Sequence, residues 1–343
     1  MKIARFLPPA SEVPVFGGVI GTHVVGFGTL LKRSGLDTDI VSNSRIYLSN
    51  LPDSEDMARK LLDWGAEHLS ELGDDEVFSL ESVQLLAPVE VAALFDFGLT
   101  PTHLRNSLET FLKLEHGNPK TEPILNSLKA GLISEPEDKP SAGPQPLSYY
   151  KCNMNSIVGD GQHVPWPTYT ARLDIEPELA VIYGNTRQPV SGYCIFNDIS
   201  ARDVQVPEFI GGLCLSKDMG FGNQLGPFLV TADEVGNPFD QDVDVIVNGK
   251  ARFKGSTSEI SHGAEDIFQW MEMIGPIRPG TVFGFGTTPG CTGLDFDDFL
   301  DPGDTVEIRF SRLGALKCTL EEPKSKLSRS RWPVRKPLER FYE

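Results

Sequence analysis

The chain has 343 residues, of which 40% are hydrophobic and 23% charged, and it carries a formal net charge of −17. This composition excludes a disordered or fibrous chain, and the length suits a globular protein with two domains of unequal size. An acidic surface repels phosphate backbones, which argues against a nucleic-acid partner, and any anionic substrate then needs a local metal ion, Arg or Lys.

The first block, residues 1–82, predicts strands at 2–6, 13–20 and 23–29. The stretch 13–31 has no charged residue and is nearly long enough to span a bilayer. Pro14, the glycines 17, 18, 21, 26 and 28, Thr22 and His23 read better as a hairpin turning at Gly21-Thr22. The first nine residues lack the apolar stretch of a signal peptide, so a soluble, cytoplasmic protein without a membrane partner is expected. Residues 53–72 predict an amphipathic helix capped by Asp53 or Ser54, with Met57, Leu61, Leu62, Trp64 and Leu69 on one stripe. The block is a small α+β unit with no evident chemistry.

A second block, 83–323, begins with a strand at 91–95 and a helix at 103–114. Residues 115–148 are rich in Pro, Gly, Lys and Glu and predict a mobile excursion with one helix at 123–132. From 149 to 319 the pattern is mostly β. Apolar runs at 173–183, 190–197, 226–231, 243–247, 282–286 and 305–310 alternate with turn signals such as Asn248-Gly249 and Pro302-Gly303, around a lone helix at 267–274. Many short strands predict a barrel, a sandwich or a rolled sheet. In the tail, 324–343, Lys324, Lys326, Arg329, Arg331, Arg335, Lys336 and Arg340 face only Glu339 and Glu343, and a basic segment that packs on or floats near an acidic body is the expectation, with binding of a partner as the alternative. The five cysteines are scattered, with neither a CxxC pair nor zinc spacing, and read as reduced thiols.

Two stretches carry chemistry. In a strand, Glu176 and Glu178 share a face, with Pro177 on the other. Two like charges so close repel unless a cation lies between them, and oxygen ligands suit Mg²⁺, Mn²⁺ or Ca²⁺ rather than zinc. The alternative is a solvated face, since Glu-x-Glu is common on surfaces. Pro177 cannot donate to a ladder, which predicts a strand that is at an edge or locally unpaired. Downstream, Asn197-Asp198-Ile199-Ser200-Ala201-Arg202-Asp203-Val204-Gln205 puts acid, hydroxyl, guanidinium and amide at the end of an apolar strand, where burial is costly without a job. A helix start capped by Asp198 or Ser200 is the alternative reading.

Glu176-x-Glu178, the 197–205 motif, Lys217 before Gly226-Pro227, Val247-Asn248-Gly249-Lys250, Gly286-Thr287 and Leu300-x-Pro302-Gly303-Asp304 follow one another in an order that resembles the fumarylacetoacetate hydrolase superfamily, over about 85–319. The resemblance implies an α+β, mostly β fold: a rolled mixed β-sheet catalytic domain behind the small N-terminal domain, usually a homodimer. It also implies one divalent cation, Mg²⁺ first and Ca²⁺ or Mn²⁺ next. Asp96, seven residues before His103, with Asn106 three after it, is similar to fumarylacetoacetate hydrolase itself rather than to the smaller members with His-x-x-Glu. That layout implies Asp96, Glu176, Glu178 and Asp198 as metal ligands, His103 as general base, Asp295 as the acid orienting it, and Lys217 as a catalytic cation. Tyr150, Gln205, Arg202 and Thr287 are implied as substrate contacts. Gly98, Phe209 and Leu112 stand where the family has tyrosines and an arginine, so a larger or less polar substrate is expected. The implied activity is metal-dependent hydrolysis of a carbon–carbon bond in a β-diketo acid or acylpyruvate-like molecule. Decarboxylation, isomerisation and a non-catalytic role are the alternatives.

Overall fold

The computed structural model describes residues 1–133, 147–217, 222–327, 330 and 332–342. Among them, a sheet of twelve strands organises the chain. Its order is Val77–Ser79, His23–Gly26, Val15–Ile20, Lys2–Leu7, Asn223–Thr231, Val190–Asp198, Pro177–Tyr183, Thr281–Thr287, Ala93–Phe97 and Tyr149–Lys151, with Gln84–Leu85 paired to Lys2–Leu7 and Ile157–Val158 to Asn223–Thr231. The sheet is mixed: Thr281–Thr287 runs parallel to Ala93–Phe97, and Ile157–Val158 parallel to Asn223–Thr231. A second sheet orders Lys250–Ser256, Asp242–Val247, Thr305–Phe310, Gly314–Leu320 and Gln162–Val164. Both sheets are open paths in the described residues, so of the predicted architectures the rolled mixed sheet is the one observed, not a closed barrel.

The strand Pro177–Tyr183 is buried along its whole length, and its two faces enter different cores. Leu179, Val181 and Tyr183 join a core shared with Val243, Val245, Val306, Ile308 and Leu316 of the smaller sheet. Ala180 and Ile182 join another with Phe27, Leu30, Tyr47, Leu48 and Leu61 of the N-terminal segment. A strand covered on both sides loses polar alternation and reads as a continuous apolar run. The N-terminal strands continue the large sheet, with Lys2 opposite Val230 and Ile3 opposite Leu229, so the sheet crosses residue 82.

Several local expectations are corrected. Pro177 lies in a central strand, between Val190–Asp198 and Thr281–Thr287, so only the edge-strand alternative is overturned. As the first residue of its strand it lacks an N–H only where the ladder begins, and its carbonyl accepts from the Thr288 amide at 2.8 Å. The hairpin turns at Gly21, φ +60°, but the strand His23–Gly26 gives way to a helix Phe27–Ser34. The helix Asp53–Glu67 has Pro52 at its cap position, and Asp53 and Ser54 lie inside it. The helix Arg202–Glu208 likewise starts after Ala201, not at Asp198 or Ser200. The helix expected at 123–132 spans Glu122–Ile133, and the rest of that excursion, 134–146, lies outside the described residues. The C-terminal segment packs down: Leu338 is buried, and the Arg335 guanidinium bonds the Phe299 carbonyl at 2.7 Å, the Leu300 carbonyl and the Asp301 carboxylate. No helix of the described residues is long and apolar enough to cross a membrane.

Candidate metal centre

Strand ends bring the acids together. Asp96 lies in Ala93–Phe97, opposite Gly284 on one side and Tyr150 on the other. Asp198 ends the strand Val190–Asp198, and Glu178 is the second residue of Pro177–Tyr183. Glu176 stands just ahead of it, its amide donating to Asn197 Oδ1 at 3.2 Å and its carbonyl accepting from the Asp198 amide at 3.1 Å. One oxygen from each of Asp96, Glu176 and Asp198 lies within 4.8 Å of the other two. Glu178 flanks this trio. It faces Asp96 across Gly284, and its oxygens accept from the Gly286 amide at 3.1 Å and the Thr287 hydroxyl at 3.2 Å. Gly284 leaves the room for that meeting: a Cβ there would sit 2.5 Å from Glu178 Oε2 and 3.0 Å from Asp96 Oδ1.

Two cations are built in. Lys217 Nζ lies between Glu176 and Asp198, 2.5 Å from Asp198 Oδ2. The Tyr150 hydroxyl donates to that same oxygen, and its ring faces Nζ at 5.6 Å. Arg202 is buried behind Glu176, with Nη1 at 2.6 Å from Glu176 Oε1 and Nε at 3.0 Å from Asp174 Oδ2. Gln205 reaches the cluster only through Arg202, whose Nη1 it accepts at 3.2 Å. Among the residues expected to touch substrate, Tyr150 bonds Asp198, Thr287 bonds Glu178 and Arg202 bonds Glu176.

Burial dominates the electrostatics. It pushes Asp198 up to about 7 and Asp96 up to about 6, against the nearby Lys217 charge. Glu178, buried and facing Asp96, is pushed well above the usual carboxylate range. Burial would also raise Glu176, but Arg202 and Lys217 outweigh it and hold that carboxyl well below its ordinary value. Crowded carboxyls without a cation must keep protons. Asp96 Oδ1 and Asp198 Oδ1 are buried and have no hydrogen-bond partner, a costly state for a carboxylate oxygen. An all-oxygen cluster with two orphaned acceptors fits a hard divalent cation.

His103 adjoins the cluster, buried on the helix Pro101–Leu114. Its Nδ1 lies 3.1 Å from Asp295 Oδ1, and its Nε2 lies 3.6 Å from Glu176 Oε1 and 3.1 Å from Ser107 Oγ. Asp295 is itself fixed: Oδ2 accepts from the Gly290 amide at 2.9 Å and the Thr292 hydroxyl at 3.1 Å, and Asn106 adds a side-chain hydrogen bond. Burial disfavours the imidazolium, but the Asp295 and Glu176 carboxylates outweigh it and raise the His103 pKa. A cavity of about 220 Å³ lined by Tyr150, Lys151, Cys152, Asn153, Leu213 and Lys217 opens beside the centre. A larger one of about 660 Å³, near Asp160, Phe228 and Lys317, touches none of these acids.

Two contributors escaped the sequence. Asp174 is buried, bonds Arg202, and accepts the Gly293 and Leu294 amides at 2.8 and 3.0 Å, which anchors the turn carrying Asp295. Its place two residues before Glu176, on the same alternation, was the available signal. Gly284 has none, because its role is to be absent.

The model of the C-terminal domain of fumarylacetoacetate (FAA) hydrolase matches residues 125–321, more than half of the chain; Asp96 and His103 lie upstream of it. An uncharacterised protein of Staphylococcus haemolyticus (strain JCSC1435) is 30% identical over 183 residues, 50% of this chain and 60% of that protein. The chain thus matches about 60% of the length of such curated relatives. Two solved structures share the fold. The 2-hydroxyhepta-2,4-diene-1,7-dioate isomerase from Mycobacterium marinum has a TM-score of 0.60 at 19% identity, covering 95% of this chain and 100% of that one. The maleylpyruvate hydrolase from Sphingobium sp. SYK-6, in complex with manganese (II) ion and pyruvate, has a TM-score of 0.62 at 19% identity, covering 94% and 100%. With its motifs, its mixed sheet and more than half its length matched, the chain belongs to the fumarylacetoacetate hydrolase family.

Proposed function

We propose that this protein is a divalent-metal-dependent hydrolase that cleaves a carbon–carbon bond in an acylpyruvate-like β-dicarbonyl acid, working as a homodimer. The observation that carries the reading is the His103–Asp295 pair, 3.1 Å apart, with the other imidazole nitrogen 3.6 Å from Glu176 of the acidic trio. A bound cation would be held by Asp96, Glu176 and Asp198, with Glu178 beside them, and would supply Lewis acidity to the substrate.

The chain's own groups do the rest. Asp295 accepts the Nδ1 proton, which leaves Nε2 as the basic nitrogen. Nε2 takes a proton from water, and the hydroxide attacks the distal carbonyl. Lys217 offsets the oxyanion, and Arg202 and Gln205 keep Glu176 at its post. The carbon–carbon bond then breaks, its electron pair passes to the pyruvate-side carbon, and the imidazolium returns the proton there. Phe209 and Leu112 pack beside Phe111 and Trp332 in an apolar cluster. The isomerase neighbour keeps a second reading open, in which the same base moves a proton within the substrate and no water is consumed.

With Mg²⁺ or Mn²⁺ present, a panel of acylpyruvates including maleylpyruvate is expected to yield pyruvate. His103→Ala should lower kcat by about 10²- to 10⁴-fold while metal affinity is retained. Undiminished turnover in that variant overturns the role of His103. Metal binding without any turnover across the panel favours a non-catalytic homologue, and double-bond migration without pyruvate release favours the isomerase.

A further inference from the structure

Ser107 lies one helical turn after His103, on the same helix, and is 7% exposed. A serine inside a helix commonly turns its hydroxyl back to the carbonyl four residues earlier. Here the hydroxyl of Ser107 is turned to the imidazole of the residue four earlier, with Oγ 3.1 Å from Nε2. The direction of that hydrogen bond follows from the other end of the ring. Asp295 Oδ2 accepts from the Gly290 amide and the Thr292 hydroxyl while Oδ1 faces Nδ1 at 3.1 Å, so the carboxylate accepts there too and Nδ1 carries the hydrogen. In the neutral ring, the form a general base needs, Nε2 is then an acceptor and the Ser107 hydroxyl donates to it; on the imidazolium the same contact is kept with Nε2 donating to Ser107 Oγ.

We infer that Ser107 is a positioning residue for His103: it pins the basic nitrogen as Asp295 pins the other. The inference rests on the reading of His103 as the base. An imidazole tied at Nδ1 alone still swings about that bond, and Nε2 has a competing neighbour in Glu176 Oε1 at 3.6 Å. A ring that turned onto Glu176 would direct its nitrogen at a metal ligand and away from water. The Ser107 hydroxyl holds Nε2 off Glu176 in the resting site. It then either yields its place to the attacking water or stays as a second contact, and in both cases the ring plane is set before substrate arrives. A misplacement near 1 Å at a reacting group costs on the order of a hundredfold, which is large against the cost of one weak hydrogen bond.

Alanine suits a helix interior better than serine, so Ser107→Ala should fold. Its expected kcat is lower by on the order of tenfold, with KM and the Mn²⁺ dissociation constant within about twofold of the parent. Ser107→Thr keeps the hydroxyl and should recover most of the rate. Independently of turnover, the Nε2 resonance of His103 in the imidazole nitrogen spectrum should shift in Ser107→Ala and return in Ser107→Thr, while Nδ1 keeps its proton. Parental kcat together with an unmoved Nε2 resonance in Ser107→Ala would overturn the inference. So would covalent capture of Ser107 by a fluorophosphonate, which would make it a nucleophile instead. If His103→Ala is inactive and Ser107→Ala is not, only the positioning role fails; if His103→Ala is active, the base assignment itself fails.

Discussion

The acidic cluster and the His103–Asp295 pair meet at one point but are held by different means. Asp96, Glu178 and Asp198 are strand residues of a single sheet, cross-linked by ladder hydrogen bonds on both sides. His103 lies on a helix and Asp295 in a four-residue turn of helix, Gly293–Phe296, both outside the sheet. Their mutual position depends on a small apolar cluster of Leu108, Phe111, Val206, Leu294, Phe299 and Trp332. Ligands on a rigid frame can be crowded against their own charge. A base held by side-chain packing can be adjusted without disturbing the metal, and variants should separate the two.

The largest effect is expected at Glu176, where both systems touch. Glu176→Ala removes one of the two carboxylates paired with each of Arg202 and Lys217, both buried cations. Breaking a buried ion pair costs about 3–5 kcal/mol, and urea unfolding should show a loss of that order together with lost Mn²⁺ binding. Retained metal binding would show that the trio is not the cation's seat. Gly284→Ala tests the frame alone. Its methyl would meet Glu178 Oε2 at 2.5 Å, Phe196 Cδ1 at 2.9 Å and Asp96 Oδ1 at 3.0 Å. Metal affinity should fall by about 10- to 100-fold, while the His103–Asp295 contact, read from the imidazole resonances, stays as it was.

A pH series sharpens the contrast further. Asp96 and Asp198, raised by burial to about 6 and about 7, bind protons in competition with a metal. Calorimetry should find Mn²⁺ affinity falling below pH 7, by about tenfold per unit where one carboxyl must be deprotonated. The stability of the metal-free protein has the opposite sign. A folded-state pKa above the unfolded one contributes stability at low pH that is lost as pH rises through the folded value. Thermal unfolding of the metal-free protein should therefore show these groups' contribution fading between about pH 4 and pH 7, and added metal should reverse the trend. A metal-free Asp96→Asn, Asp198→Asn variant that keeps the parent's pH dependence across that window would mean these acids are not the crowded set described, because Glu176 and Asp295, held low, contribute with the opposite sign in both proteins.

The two regions were also unequally legible. Motif order picked out all four acids because each sits in a short local pattern, and the two-residue spacing of Glu176 and Glu178 is itself a statement about a strand face. The pattern could not show that Pro177 begins a central strand, since a proline's permitted place depends on which ladder bond falls first. Nor could it show that Tyr150 and Arg202 spend their polar groups on Asp198 and Glu176, because a hydrogen bond across the sheet leaves no trace in local spacing. The packing under His103 was least visible. Trp332 stands in a segment read only by its basic charge, yet it is 2% exposed, and the charges around it gave no sign that this ring packs against the helix.

Trp332 gives the smallest and most selective effect. Its ring lies 6.0 Å from Phe111, on the His103 helix, and 6.1 Å from Phe299, just past the turn carrying Asp295, while Nε1 donates to Glu115 at 2.8 Å. Trp332→Phe keeps an aromatic filler but removes that donor and part of the volume, a loss of about 1–2 kcal/mol. No atom of the acidic cluster is touched, so Mn²⁺ affinity should be unchanged. The base helix, resting on a looser support, should show kcat reduced a few-fold with KM little altered. A change in metal affinity equal to the change in kcat would mean that the two regions are coupled after all, and that the helix and the sheet form one mechanical unit.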